Sequence, residues 1–125
     1  MRFRALLILA AMALAGEPHA QNAEVRMLVQ SSPLAGFQYY QGKELWGEMK
    51  VGDVLALVRE ADNPHDANAV RVEWRGHPLG YVPRRENRTV AQHIDRGGRV
   101  EARISKLVEH RNPWQRVEFE IFVRL

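Results

Sequence analysis

One segment constrains this chain more than any other: NPHDANAVRVEWRGHPLGYVPR, from Asn63 to Arg84, in which an alternating strand pattern is folded back on itself. Val70, Val72 and Trp74 alternate with Arg71 and Glu73, Arg75-Gly76 supplies a reversal, and His77 to Val82 returns as a second strand. Pro83 stops that strand and leaves Arg84 and Arg85 at its exposed end. Ahead of the hairpin, Asn63-Pro64 starts a turn of polar residues. Asp66 and Asn68 can bend back onto their own backbone there while still offering a carboxylate and an amide to a ligand. Such a pattern describes a binding surface more than a reaction centre.

The rest of the chain reads mostly as short strands punctuated by Gly, Pro and Asn. Val25 to Gln30 is the predicted first strand, and Ser31-Ser32-Pro33 opens a loop reaching Gly36 and the aromatic cluster Phe37, Tyr39 and Tyr40. One of these two tyrosines is expected to pack on the core and the other to be exposed. Lys43 to Met49 fits a single helical turn, and Val54 to Arg59, apolar on both faces, predicts a strand buried on both sides. Glu86 to Ile94 is the better helix: Asn87 can cap it, Val90, Ala91 and Ile94 form its apolar stripe, and Gly97-Gly98 ends it. Two alternating strands follow, through Val100, Ala102 and Ile104 and then Val117, Phe119, Ile121 and Val123, joined by a turn at Asn112-Pro113. With 125 residues, 46% of them apolar, there is material for one core. The predicted fold is mainly β: a small, partly open β-barrel of five to six strands with one or two short helices. Trp46, Trp74 and Trp114 are assigned to the core or to covering its edges.

The N-terminus carries a separate signal. Arg2 and Arg4 precede an uninterrupted apolar run from Ala5 to Ala15, followed by Gly16, Glu17 and Pro18, which is the layout of a secretory signal peptide. The run is too short for an ordinary transmembrane helix. Cleavage is expected after Ala15 or Ala20, giving a signal peptide at residues 1–20 and one domain at 21–125, exported to the periplasm or secreted. A misassigned start codon upstream of a cytoplasmic domain is the alternative. Removal of residues 1–20 takes away Arg2, Arg4 and Glu17 and leaves a mildly basic domain, so anion recognition has to be local.

Enzymatic chemistry finds little support. The chain has no cysteine, which excludes thiolate metal sites and disulfides, and His19, His65, His77, His93 and His110 show no metal-ligand spacing. There is no nucleophile motif and no glycine-rich phosphate loop with a following lysine. No cofactor or metal is expected, and the chain reads as a binding module. On composition alone Arg84, Arg85 and Arg88 form a solvated basic face.

Three landmarks, GFQYYQG (Gly36 to Gly42), LVREADNPHDANAVRV (Leu57 to Val72) and LGYVPR (Leu79 to Arg84), resemble in order and spacing those of the HIRAN domain. This module stands at the N-terminus of some chromatin-remodelling helicases and, alone, in bacterial proteins. The resemblance covers about Val29 to Gly98 and, more weakly, the last two strands. It implies an OB-like β-barrel, in agreement with the strand reading, and a site for the 3'-hydroxyl end of single-stranded DNA or a similar polyanion. Carried over by position, Tyr39 matches the aromatic on which an end base stacks, and Asp66 the carboxylate that accepts from the terminal hydroxyl. Asn63 matches the polar residue beside it, and Arg84 a basic residue near the phosphates. Three positions depart from the family. Gln38 stands where DNA-gripping relatives have a basic residue, His65 replaces a second stacking tyrosine, and Tyr81 replaces a histidine. The resemblance therefore implies a retained pocket with weakened affinity, or a changed ligand. The signal peptide suggests an alternative, an envelope module holding a protein segment or glycan in the same groove.

Overall fold

The computed structural model describes residues 25–125, so the signal-peptide assignment falls outside the described residues. Strands β1 (Arg26–Pro33), β2 (Val54–Glu60), β3 (Ala69–Trp74), β4 (His77–Tyr81), β5 (Val100–Leu107) and β6 (Val117–Arg124) are joined by two short helices, α1 (Gly42–Leu45) and α2 (Arg88–Asp95). Single turns of 3-10 helix lie at Phe37–Tyr39, Trp46–Glu48, Arg84–Glu86 and Pro113–Gln115. The six strands form one sheet in the order β1-β6-β5-β2-β3-β4, antiparallel at every pairing. The fold is thus the mainly β architecture that the alternating pattern predicts, with six strands.

The β3–β4 hairpin shows why the pattern is so legible. Arg75 and Gly76 both adopt positive φ, 48° and 83°, the combination that matches the right-handed twist of the flanking strands. Val70, Val72 and Trp74 are buried, while Arg71 and Glu73 on the other face stay partly exposed and bond to each other at 2.8 Å. Leu34, Phe37, Met49, Leu55, Leu79, Val82, Val90, Ala91, Ala102, Ile104, Val117, Phe119 and Ile121 complete the core with them. Helix α2 lays Val90 and Ala91 onto it. Arg59 of β2 grips Asp95 at the other end of that helix through two bonds of 3.0 and 3.1 Å.

The sheet curls into a barrel because β2 changes partner along its length. Val54 and Leu55 pair with β5, and Ala56 to Glu60 pair with β3. The curl brings the two edges together at one point, where Ala35, just past β1, and Tyr81 of β4 exchange two backbone hydrogen bonds of 2.9 Å. The barrel is therefore partly open, with that bridge and a backbone hydrogen bond from Gln41 to the Pro78 carbonyl at 3.2 Å tying β4 to the segment after β1. At the other end of β1 the Leu125 amide donates to the Val25 carbonyl at 2.9 Å, so the two ends of the described fold are neighbours.

Several expectations need correction. Ser31-Ser32-Pro33 belongs to β1 and not to a loop: Ser32 is buried opposite Phe119 and accepts a hydrogen bond from Gln30. Strand β2 is not buried on both sides; Val54 is exposed, because a strand at the bend of a curled sheet turns one face outward. Of the tryptophans, Trp74 is in the core and Trp46 packs against it, but Trp114 is exposed. Neither Tyr39 nor Tyr40 enters the core. Phe37 takes that position, edge-on to the Trp46 ring at 5.8 Å.

Candidate functional site

Because Phe37 is drawn inward, the two residues after it on the same tight turn are turned outward. Tyr39 is 77% exposed, the most accessible large aromatic among the described residues. Gly36, at φ 78°, lets the chain reverse directly after the Ala35–Tyr81 bridge. Gly42 passes so close to the Phe37 ring that a Cβ there would lie 2.2 Å from it, which ties the end of the loop to its anchor. Tyr40 leans on Tyr81 with ring centroids 5.9 Å apart. The bridge thereby places the aromatic loop beside β4, whose Tyr81 reaches Glu60 at the end of β2, where the polar turn begins.

That turn is locked from within. Asn63 Oδ1 accepts from the amides of His65 and Asp66 at 2.8 and 3.2 Å, and its Nδ2 donates to Glu60 Oε1 at 2.9 Å. His65 is left exposed at the tip. Asp66 Oδ1 accepts from the Asn68 amide at 2.9 Å, and Oδ2 from Asn87 Nδ2 at 2.8 Å. Arg84, which opens the 3-10 turn after β4 and is largely exposed, brings its Nε to 3.8 Å from Asp66 Oδ2. So close an approach across solvent adds little stability, but it sets a cation beside a fixed carboxylate.

Tyr81, half-buried and opposite Arg71 on the face away from the core, donates its hydroxyl to Glu60 Oε1 at 2.9 Å. Burial, and then that hydrogen bond, push its pKa up to about 12, so it remains a neutral donor throughout the physiological range. Glu60 also binds Arg71, which in turn holds Glu73. Burial opposes its ionisation, yet the hydrogen bonds from Asn63, Tyr81 and Arg71 outweigh that, and its carboxyl is held below the ordinary value of 4.5. Asp53 is likewise held below 3.8, first by the Trp74 indole N–H and then by the Lys50 amide. Both groups are more acidic in the folded chain than in the unfolded one, so they stabilise the fold above their unfolded values. That contribution is lost as pH falls through the depressed folded values. Thermal midpoints are therefore expected to hold steady from pH 7 to about 5 and to fall below about 4.5. In Glu60→Gln the midpoint at pH 7 should be lower and the acid slope shallower; an unchanged slope would remove Glu60 from this account.

Of the residues singled out in the sequence, Asn63, Asp66 and Arg84 come together directly, and Tyr81 joins them through Glu60. Tyr39 adjoins through Gly36 and Tyr40, while His65 overhangs the turn. Sequence reasoning missed Glu60 and misread Asn87. Asn87 stands at the N-terminal boundary of α2, but its side chain caps nothing and instead reaches Asp66. Its 1% exposure shows it committed to that bond. Glu60, two residues before Asp62 in the second landmark, was missed because two of its three partners, Arg71 and Tyr81, come from the neighbouring strands β3 and β4. Among the described residues no group of three or more His, Asp or Glu is placed to hold a metal ion.

Comparison with known proteins agrees with this architecture. The HIRAN domain model matches residues 27–125. A protein from Lactobacillus plantarum of known crystal structure superposes with a TM-score of 0.71 at 24% identity, over 82% of this chain and 98% of that one. The HIRAN domain of human HLTF superposes with a TM-score of 0.57 at 19% identity, over 79% of this chain and 77% of that one. No curated protein matches. The match across nearly all of the described fold, with all three landmarks in place, makes this chain a member of the HIRAN domain family of nucleic-acid-binding modules.

Proposed function

We propose that the domain grips the 3'-hydroxyl end of single-stranded DNA in the groove between the Tyr39 loop and the Asn63–Asp66 turn. The observation that carries this reading is the state of Asp66. Its carboxylate is fixed by two donors, Asn68 and Asn87, and so retains about two of its roughly four acceptor positions. A terminal hydroxyl donates to such a group, whereas a terminal phosphate is repelled by it. Arg84 stands close enough to neutralise the neighbouring phosphodiester, and the open ring of Tyr39 offers a stacking face that accepts any base. His65 contributes a second, smaller face, and Tyr81 with Asn63 forms the wall that keeps the turn in place.

Fluorescence anisotropy with short single strands ending in 3'-hydroxyl or 3'-phosphate, across a salt series, tests the proposal. The hydroxyl end should bind markedly tighter at every salt concentration. Tyr39→Ala should weaken binding by about 1–3 kcal/mol without changing the melting temperature. Equal affinity for the two ends, abolished by salt, would leave only general charge attraction and sink the end-recognition reading.

The arginine-flanked apolar run at Ala5 to Ala15 favours a second proposal, that the protein acts in the cell envelope and that the same groove holds a protein segment or glycan there. Fractionation that recovers the full-length chain from the cytoplasm would remove the support for it.

A further inference from the structure

A recess opens beside the Phe37–Tyr39 turn. It is a cleft of about 530 Å³ lined by Phe37, Gln38, Lys43, Trp46, Glu109, His110 and Arg116. Phe37 and Gln38, which line it, belong to the same Phe37–Tyr39 turn that presents Tyr39, so the cleft adjoins the Tyr39 loop. Its polar groups are mainly donors. Arg116 is held rigidly, with Nε donating to the His110 carbonyl at 2.7 Å and Nη2 to the Arg111 carbonyl at 3.3 Å. Its guanidinium carbon lies 5.5 Å from the centre of the Phe37 ring. Two of its five N–H groups are used in this way, and three remain. His110 Nδ1 accepts from the Asn112 amide at 2.9 Å, which leaves the proton of the neutral ring on Nε2, a donor. Lys43 is exposed and has no ion-pair partner among the described residues. Against these stands one carboxylate, Glu109, and the cleft is cationic although Gln38 itself is neutral.

We propose that this cleft binds a phosphodiester of the strand whose end occupies the Tyr39–Asp66 groove, with Arg116 as a preset fork and Lys43 as a mobile counter-charge. An aromatic floor with anchored donors around it suits a sugar-phosphate backbone, since a guanidinium offers paired N–H groups to phosphate oxygens and an ammonium follows them as a point charge. The inference rests on the end-binding reading for the direction of the strand, but not for the chemistry of the cleft. It predicts that affinity grows with oligonucleotide length beyond the end nucleotides, and that the growth depends on Lys43.

The test uses Lys43→Gln, a change at an exposed, unpartnered side chain that leaves the core untouched, with Lys50→Gln as a remote control. Salt dependence is measured for two probes: an eight-nucleotide single strand with a 3'-hydroxyl, and a closed circular single strand that offers no end. Lys43→Gln should reduce the slope of log affinity against log salt by about 0.7 on both probes, the increment for one phosphate contact on a single strand. The preference for hydroxyl over phosphate ends should persist, and Lys50→Gln should match the unaltered protein. Slopes for Lys43→Gln equal to those of the unaltered protein on both probes would overturn the inference. Loss of end preference in the unaltered protein, with the Lys43 effect intact on the circle, would instead reject the end site and leave the cleft standing.

Discussion

Replacing Gly80 with alanine is expected to destabilise the domain by about 3 kcal/mol or more, a larger effect than any surface change in the groove. Gly80 has φ 152°, a conformation that side chains disfavour, and a Cβ built there would lie 2.2 Å from the Ala35 carbonyl oxygen and 3.2 Å from Leu34. Both obstacles are immobile: one is backbone and the other is core. The carbonyl would have to withdraw, and with it the pair of hydrogen bonds between Ala35 and Tyr81 that joins the two edges of the sheet. Strain of about 1–3 kcal/mol therefore adds to the loss of paired backbone groups, each worth about 1–3 kcal/mol when left buried and unmet. Urea denaturation should show the loss as a lowered midpoint, with Gly47→Ala, where nothing lies within 4 Å, close to the unaltered protein. The effect should reach the groove as well, because Tyr81 carries both the bridge and the hydroxyl that holds Glu60. A Gly80→Ala protein that keeps its midpoint would show that the bridge contributes nothing to closing the barrel.

Asp66→Ala should separate the structural and recognition roles of one residue. Asn87 is 1% exposed and spends its amide on Asp66 Oδ2, so removal of the carboxylate strands a buried donor at about 1–3 kcal/mol. The double variant Asp66→Ala/Asn87→Ala removes both partners and should recover part of that loss, which a mutant cycle by urea denaturation would measure. End recognition should not recover with it. Asp66→Asn, which keeps the shape but not the charge, should narrow the ratio of hydroxyl-end to phosphate-end affinity, since the repulsion of a terminal phosphate depends on the negative charge. A ratio unchanged in Asp66→Asn would assign the selection to another group.

The contrast between these two residues also shows what a linear reading can and cannot reach. The hairpin was legible because its information is local: alternating burial at Val70, Val72 and Trp74 and a turn whose two residues accept positive φ. The landmarks placed Asn63, Asp66, Arg84 and Tyr81, and the fold brings these into one wall. What escaped was the set of bonds between distant segments. Asn87 has the residue type and position of a helix cap, yet an acceptor 21 positions earlier takes its amide. Ser32 looks like loop chemistry, but its hydroxyl is met by Gln30, so the strand can run on through it. Val54 is apolar and exposed because β2 exchanges one neighbour for another at that point, a property of sheet curvature that no window of sequence records. The donor-rich cleft is of the same kind, since Lys43 and Arg116 lie on elements far apart in the chain and meet only around Phe37.

The hydrogen bond between Leu125 and Val25 has a consequence for how such a module can be carried. Strand β1 runs eight residues from that junction toward the Ala35–Tyr81 bridge, a span of about 26 Å at the usual rise per residue. Val25 and Leu125 therefore lie together at one end of β1, and the Ala35–Tyr81 bridge, from which the Tyr39 loop departs, lies at the other. A host protein or a solid support attached beside Leu125 would thus sit a strand's length away from the Tyr39 loop and leave that loop unobstructed.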